Sequence, residues 1–381
     1  MFLLLILILL LLYIFSLKLE IKTINNEYQI PIKIGDKFEN INMSISLNNY
    51  YNIFNTYLSF NSKYYKTTNE EIFINFKPLD NNNNNFILGK FYKCYDLLFL
   101  GVDDTYLNIT FYQQHNDDII YFKDVIALSR FYYDKQFSLI YLLKQNKLIK
   151  KEEFSFINLN NKRYLYLGEI PNLFNRENKF KYELNLNSFD IDKSIFGWSC
   201  NLTNIILTNN NEIKHNIINE YYSLFDSNQT DIYIPNNYFN NFVDVLIKNN
   251  KKNNCNIKEG KIMCDKIINK NMINDIIFVF NDKIGFKFNY KKLSDFNNTL
   301  ILTKNPYNNN WIFGINFLKY FNITFDYEKK VIKFFDINNS NIINIKKYYN
   351  FFIIKKYIYI ILIINIIGII FLIYIKFKLF I

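Results

Sequence analysis

Hydrophobic and polar residues alternate over short stretches along most of this chain, which is the pattern of half-buried β-strands. The stretches are rich in Ile, Tyr and Phe, and turns of Asn, Asp or Lys separate them. Predicted strands are Tyr28 to Ile34, Ile41 to Leu47, Glu71 to Phe76, Tyr95 to Leu100, Tyr106 to Tyr112, Phe154 to Leu159, Arg163 to Leu167, Ile276 to Phe280 and Lys330 to Phe335. Helical periodicity is rare, and its examples are Asp134 to Leu148 and Asn236 to Lys248. The pattern predicts a mostly β protein of two sandwich or barrel lobes.

Both ends of the chain are apolar. Residues Phe2 to Phe15 form an unbroken hydrophobic run that is too short for a comfortable membrane span and is typical of a signal-peptide core. A small-residue cleavage site is missing, so segment 1–17 is either a signal peptide or an uncleaved signal anchor. A second run of 19 residues, Tyr357 to Ile375, is broken only by Asn365 and Gly368 and has lysines on both sides. Its length predicts a transmembrane helix.

These segments predict a single-pass protein of the secretory pathway membrane or the cell surface, with a lumenal or extracellular body. The body divides into a first lobe at 18–190 and a second lobe at 191–346. A stalk at 347–356 leads to the transmembrane helix at 357–375, and a tail at 376–381 follows it.

Composition changes this picture little. Half of the 381 residues are hydrophobic, which indicates a globular body rather than a disordered one. The excess of Asn, Ile, Lys, Tyr and Phe is typical of the coding bias of AT-rich genomes, such as those of malaria parasites. The net charge of +11 is spread along the chain, with no basic helix or arginine cluster. We therefore predict no nucleic-acid partner.

Four cysteines, Cys94, Cys200, Cys255 and Cys264, allow three pairings, and a lumenal body permits disulfides. Cys255 and Cys264 are close in the chain, and we predict a local bridge between them. Cys94 and Cys200 are either a long-range bridge or two thiols. The two histidines, His115 and His215, do not have the spacing of metal ligands. The sequence therefore predicts no metal and no cofactor.

The run from Ser223 to Thr230 reads as a hydrophobic strand that ends in a carboxylate, Asp226, on a polar turn. This run resembles the active-site loop of the pepsin-like aspartic proteases, in which two apolar residues precede Asp, a hydroxyl residue, Gly and a second hydroxyl residue. Further segments follow in the order of that family: Ile32 to Gly35 as the opening strand, Glu71 to Phe76 with Ile87 to Gly89 as the flap hairpin, Tyr95 to Gly101, Val125 to Ser129, Ser138 to Gly168, Trp198, Ile232 to Pro235, and Trp311 to Asp326.

This resemblance runs from about Tyr28 to Phe335 and implies the two-lobed pepsin-like fold. It also implies a mechanism in which two aspartates share one proton, so that one acts as base towards water and the other as acid towards the peptide carbonyl. The first loop of this chain reads Ser44 to Asn49, and Ser46 stands at the position of the first catalytic aspartate. A serine hydroxyl cannot serve as that base, because its pKa is far above neutrality.

The surroundings of both loops also depart from the family pattern. Leu47 replaces the hydroxyl residue that braces the opposite loop, whereas Ser227 retains that hydroxyl in the second loop. Asn48 and Asn228 replace the loop glycines. At the flap, Phe76 occupies the position of the usual tyrosine, and Lys77 to Leu79 replaces the glycine-rich tip.

Three hypotheses follow from these residues. The first is a membrane-anchored, monomeric pepsin-like pseudoprotease that retains a cleft for an extended peptide. The alternative is an active aspartic endopeptidase with a divergent dyad that uses Asp226. The third is a surface or adhesion protein unrelated to proteases and built as a β-sandwich.

Overall fold

The structure is a computed structural model. It describes residues 16–24, 26–34, 39–47, 52–54, 65–76, 87–99, 106–114, 124–129, 138–169, 181–187, 197–209, 212–248, 255–264, 275–289, 299–305, 310–336, 342–346, 348 and 362–370. The apolar run Phe2 to Phe15, the flap tip Lys77 to Leu79, the loop residue Asn48 and the 376–381 tail lie outside this part.

The described residues form mostly strands. These are β1 (Ser16–Ile24), β2 (Glu27–Ile34), β3 (Glu39–Ser46), β4 (Ile53–Phe54), β5 (Lys66–Phe76), β6 (Ile87–Phe99), β7 (Tyr106–Gln114), β8 (Val125–Ala127), β9 (Glu153–Leu159), β10 (Lys162–Gly168), β11 (Lys181–Asn185), β12 (Ser199–Asn209), β13 (Glu212–Phe225), β14 (Ile232–Pro235), β15 (Cys255–Lys258), β16 (Lys261–Cys264), β17 (Asp275–Phe280), β18 (Ile284–Asn289), β19 (Thr299–Asn305), β20 (Trp311–Phe313), β21 (Phe321–Asp326), β22 (Val331–Asp336) and β23 (Ile342–Asn344). The helices are α1 (Leu139–Gln145), α2 (Asn236–Lys248) and α3 (Ile315–Leu318).

The mostly β class is confirmed, and α2 has the predicted bounds. The first helix is shorter than the predicted Asp134 to Leu148, of which residues 134–137 lie outside the described part. Helix α1 begins at Leu139 because the Ser138 hydroxyl accepts a hydrogen bond from the Tyr141 N–H at 3.3 Å and so caps the N-terminus. Of the predicted strand Tyr95 to Leu100, residues 95–99 are the end of the longer strand β6, and Leu100 lies outside the described part.

The two halves of the chain form sheets with the same strand order. The first reads β2-β3-β8-β4-β7-β6-β5, and the second reads β12-β13-β20-β14-β19-β16-β15. In each sheet one short central strand pairs in parallel with a longer one, β8 with β3 and β20 with β13. The repeated strand order indicates two lobes with the same topology.

A six-stranded antiparallel sheet joins the lobes, in the order β11-β22-β21-β9-β10-β1. Strand β21 lies between β22 and β9, with Ile323 opposite Phe156. Strand β1 begins at Ser16, opposite Gly168. The last two residues of the predicted 1–17 segment therefore lie in this sheet.

Aromatic side chains fill the core beneath this sheet. The rings of Phe154 and Phe325, on neighbouring strands, stack with their centroids 4.7 Å apart. Trp198 is fully buried beside them, and its Nε1 donates a hydrogen bond to the Leu128 carbonyl oxygen at 2.8 Å. Because Leu128 follows β8 and Trp198 precedes β12, this bond connects the two lobes next to the central strand of the first.

Near the C-terminus, residues 362–370 are helical, and their Leu and Ile side chains are exposed. The predicted span Tyr357 to Ile375 extends beyond both ends of this described segment. No helix within the described ranges is both long and apolar enough to cross a membrane.

Candidate active site

Ser46 and Asp226 stand at the ends of equivalent strands. Strand β3 ends at Ser46, and Ile45 pairs with Ile126 of the parallel strand β8. Strand β13 ends one residue before Asp226, and Phe225 pairs with Phe313 of the parallel strand β20. Ser46 therefore directly follows a residue that pairs with β8, and Asp226 directly follows a residue that pairs with β20.

The strands that follow the two loops also share a register. Ile53 follows Ser46 by seven residues and pairs with β8, and Tyr233 follows Asp226 by seven residues and pairs with β20. In the first lobe Ile53 pairs with Val125, one residue before the partner of Ile45. In the second lobe Tyr233 pairs with Ile312, one residue before the partner of Phe225. Ser46 and Asp226 thus have the same position relative to the central strands of their sheets.

A hydrogen bond connects the two loops. The Ser227 hydroxyl donates to the backbone carbonyl of Ile45 at 2.5 Å. Ser46 and Asp226 are the chain neighbours of these bonded residues, and their side chains are buried at 1% and 9% exposure. Ser227 thus contacts the loop that carries Ser46.

Asp226 is held by the turn that it begins. One carboxylate oxygen, Oδ1, accepts the Asn228 N–H at 2.9 Å, and the Asp226 N–H donates to the Phe313 carbonyl at 3.1 Å. In the first lobe, the Ser46 carbonyl accepts the Leu128 N–H at 2.8 Å. Backbone bonds to the central strand therefore fix both positions, independently of the side chain that each carries.

The rest of the second loop packs on the start of α3. The N–H groups of Gly314 and Ile315 donate to the carbonyls of Asp231 and Gln229 at 3.1 and 2.8 Å. A side chain at Gly314 would bring its Cβ to 2.4 Å from the Gln229 carbonyl oxygen. Only glycine fits at this position, since the loop backbone occupies the space.

Sequence reasoning missed a second buried carboxylate on this loop. Asp231 accepts hydrogen bonds from Thr303 Oγ1 at 3.0 Å and Asn316 Nδ2 at 3.2 Å, and Lys261 Nζ lies 3.2 Å away. The signal was an acidic residue directly before a buried strand. Through these three side chains Asp231 connects the second loop to β19, β16 and α3.

Comparison with known proteins agrees with this arrangement. The family model of eukaryotic aspartyl proteases matches residues 104–336, which is more than half of the chain. The chain belongs to the eukaryotic aspartyl protease family. The match includes Asp226 and begins after Ser46. Family membership rules out the hypothesis of an unrelated β-sandwich protein.

Solved aspartyl proteases share the fold. The crystal structure of an aspartic proteinase from Irpex lacteus superposes with a TM-score of 0.63, covers 85% of this chain and 98% of its own, and is 10% identical. At this identity the similarity concerns the fold alone. No curated protein sequence matches the chain.

In this aspartyl protease homologue the predicted flap hairpin corresponds to β5 and β6, with Phe76 opposite Ile87. The side chain of Phe76 lies outside the described part, so its role stays a prediction.

Hairpin β15–β16 places Cys255 directly opposite Cys264. The side chains of both residues lie outside the described part, and the predicted bridge stays a prediction that this register favours.

Cys94 and Cys200 are buried thiols. Burial raises the pKa of Cys94 to about 11, although a hydrogen bond with the Tyr65 hydroxyl opposes the rise. Cys94 is therefore a poor nucleophile. Among the described residues, no group of three or more His, Cys, Asp or Glu side chains could hold a metal ion.

Proposed function

We propose that this aspartyl protease homologue is a catalytically impaired pseudoprotease that binds extended peptides in a cleft between its lobes. The observation that carries the proposal is the strand register that makes Ser46 the counterpart of Asp226. General acid–base attack on a peptide needs two carboxylates with one shared proton. A hydroxyl at the Ser46 position cannot share a proton with Asp226 in this way, because its pKa is far above neutrality.

The residue after Ser46 supports the same proposal. Leu47 is fully buried and belongs to the hydrophobic core. It has no hydroxyl that could mirror the bond from Ser227 to Ile45. The junction of the loops is thus braced by a side-chain hydroxyl from the second lobe, while the corresponding residue of the first lobe contributes packing.

The central test is peptide cleavage by the purified full-length chain from acidic to neutral pH. We expect no turnover above that of the Asp226→Ala variant, together with saturable binding of extended peptides by both proteins. Cleavage by the wild-type protein that disappears in Asp226→Ala would reject the pseudoprotease.

The alternative, an active endopeptidase with a divergent dyad, is favoured by two hydrogen bonds of the second loop. Asp226 retains its turn hydrogen bond to Asn228, and Ser227 retains its contact with the first loop. This alternative requires an acidic pH optimum and complete dependence on Asp226. The same assay therefore separates the two functions.

We also propose that the protein is a monomer of the secretory pathway membrane or cell surface, anchored by residues 357–375. The apolar run of 19 residues supports the anchor. Alkaline carbonate extraction should leave the full chain in the membrane pellet and release a chain that ends at residue 346. Release of both chains would contradict the anchor.

A further inference from the structure

Seven Asn-x-Ser/Thr sequences occur along the chain, with acceptor residues Asn42, Asn108, Asn201, Asn228, Asn297, Asn322 and Asn338. This motif is the acceptor of N-linked glycans in secreted chains. In a chain so rich in Asn the motif also arises by chance, so it identifies no site by itself. A glycan is bulky and needs a position at the surface. The fold therefore decides which of these motifs can carry one.

Asn42 and Asn108 are the two acceptor residues with exposed side chains in the described part of the chain. Asn42 lies in β3 and Asn108 lies in β7, both in the sheet of the first lobe. In both strands the chain neighbours on either side of the asparagine are buried apolar residues. Because side chains alternate along a strand, both asparagines point away from the core of the lobe.

The positions of Asn42 and Asn108 in their strands leave room for a bulky group. Within the described part of the chain, β3 pairs with β8 only from Ser44 onward, and β7 pairs with β4 only from Tyr112 onward. Each asparagine therefore has a paired strand on one side only in that part. For Asn42 the partner on this side is Pro31 of β2, which is itself exposed.

Asn322 has the opposite surroundings. It lies in β21, between β22 and β9, and is 6% exposed. Its Oδ1 accepts the Asn158 N–H at 2.7 Å. A glycan on its Nδ2 would have to open the sheet that joins the lobes. Of the other acceptor residues, Asn201 and Asn228 are half-buried, and Asn297 and Asn338 lie outside the described part.

The hydroxyls of the two exposed motifs become inaccessible once the sheet has formed. Ser44 and Thr110, the third residues of the Asn42 and Asn108 motifs, are 3% and 5% exposed. The Ser44 hydroxyl also donates a hydrogen bond to Glu27 Oε2 at 3.0 Å. Because the motif requires this hydroxyl, a glycan must be transferred before β3 and β7 enter the sheet.

We propose that Asn42 and Asn108 carry N-linked glycans and that Asn322 does not. The donor is a lipid diphosphate-linked oligosaccharide of the secretory pathway. The asparagine Nδ2 forms a bond to C1 of the first sugar while the bond from C1 to the diphosphate oxygen breaks. The lipid diphosphate leaves, and the Nδ2 proton passes to a base of the transferase. These sites rest on the lumenal body of the proposed function and are independent of its peptide-binding cleft.

The test measures the occupancy of each motif in the full-length chain, produced in a eukaryotic cell that glycosylates secretory proteins. The folded, non-aggregated fraction is purified in detergent. Peptide N-glycosidase F in heavy-oxygen water converts each glycosylated asparagine to a labelled aspartate, and mass spectrometry of the peptides locates the label. We expect label at Asn42 and Asn108 and none at Asn322. Asn42→Gln and Asn108→Gln should each remove one step of the glycosidase-sensitive shift in gel mobility.

Thr110→Ser and Thr110→Val form a matched pair for the Asn108 motif. Thr110→Ser keeps the hydroxyl, so the label at Asn108 should persist. Thr110→Val keeps the shape of the side chain but removes the hydroxyl, so the label at Asn108 should disappear while the label at Asn42 remains.

Lys162→Thr provides the control for entry into the lumen. This substitution makes Asn160 an acceptor in the exposed turn between β9 and β10. If Asn160 is labelled in this variant and Asn42 and Asn108 are not, the glycan sites are overturned while the lumenal body stands. If all three residues lack label, the glycan sites and the lumenal body both fail.

Two further outcomes would count against the proposal. Absence of label from only one of Asn42 and Asn108 overturns that residue as a site. Label at Asn322 in the folded fraction would show that burial in the sheet does not exclude a glycan.

Discussion

The Ser227 hydroxyl donates a hydrogen bond to the Ile45 carbonyl across 182 positions of sequence. This bond connects the loop of the retained aspartate to the loop of Ser46, and both of its residues are fully buried. The relative position of the two loops therefore depends on a short polar contact inside the molecule.

Removing this contact should destabilise the protein. Ser227→Ala leaves the buried Ile45 carbonyl without its donor, and we expect a loss of about 1–3 kcal/mol in the free energy of unfolding. Ser227→Thr keeps the hydroxyl and should lose less. Urea denaturation followed by tryptophan fluorescence measures both variants. Equal stability of Ser227→Ala and the wild type would show that the bond is dispensable.

Restoring a carboxylate at Ser46 should also destabilise the protein at neutral pH. Ser46 is buried, and Asp would place a second carboxylate at the junction where Asp226 already stands. The loss should shrink as the pH falls, because one proton shared by the pair relieves the repulsion. Ser46→Asn, which has a similar size without charge, is the control, and its stability should show no such pH dependence.

Ser46→Asp also tests the origin of the proposed impairment. With Leu47 and the flap unchanged, we expect no more than a small gain in peptide cleavage. A large gain would show that Ser46 is the sole defect.

Gly314 should tolerate no larger residue. In Gly314→Ala the new Cβ would lie 2.4 Å from the Gln229 oxygen and 2.5 Å from the Asp231 oxygen. Both atoms belong to the backbone of the second loop, so relief requires the loop to move. We expect a loss of at least about 3 kcal/mol. Ala127→Gly, at the equivalent position of the first lobe, should lose only about 1 kcal/mol. Similar melting temperatures for the two variants would contradict the predicted clash.

A buried charge cluster in the sheet between the lobes should control how stability depends on pH. Lys333 Nζ lies 2.5 Å from Asp326 Oδ2 and 3.3 Å from Glu153 Oε2. Burial is the largest influence on Glu153 and raises the pKa of its carboxyl, against the opposing charge of Lys333. For Asp326, burial alone would also raise the pKa, but hydrogen bonds from Lys333 and the Lys329 N–H outweigh it, and the pKa is lowered.

The two carboxyls therefore act in opposite directions. The stability that Asp326 contributes is present above its unfolded pKa of about 4 and is lost as the pH falls through its lower folded pKa. The stability that protonated Glu153 contributes is present below about pH 4 and is lost as the pH rises through its higher folded pKa.

We expect Asp326→Asn to lose about 3–5 kcal/mol at pH 7 and to flatten the acid side of the profile. Glu153→Gln should flatten the loss above about pH 4.5 and retain wild-type stability or more at pH 7. The exposed pair Lys144–Glu328 offers the control, since Glu328→Gln should change stability by less than about 1 kcal/mol. Chemical denaturation at several pH values checks these changes, and parallel profiles for all variants would contradict the assignment.

The sequence predicted the fold class, the two lobes and most strands, because local alternation and the order of segments carry that information. It did not predict β1. Leu17, Leu19 and Ile21 alternate with polar residues, but they directly follow the apolar N-terminal run, and their partner β10 lies far along the chain.

The surroundings of Arg163 could not be predicted from the sequence, because they also depend on distant segments. Arg163 lies in an ordinary alternating strand, and its surroundings depend on carbonyls more than 150 positions away. The sequence predicts Ser46 as the counterpart of Asp226. The matching register of β8 and β20, which supports this prediction, is visible only when both sheets are assembled.

The position of β21 also restricts the order in which the chain can fold during synthesis. Strand β9 pairs on one side with β10, which is close in the sequence. Its neighbour on the other side, β21, is formed by residues 321–326 and is synthesised much later. Until the ribosome has released that segment, the first half of the molecule exposes an unpaired hydrophobic edge to other nascent chains. The native pairing of β9 is therefore completed only late in synthesis.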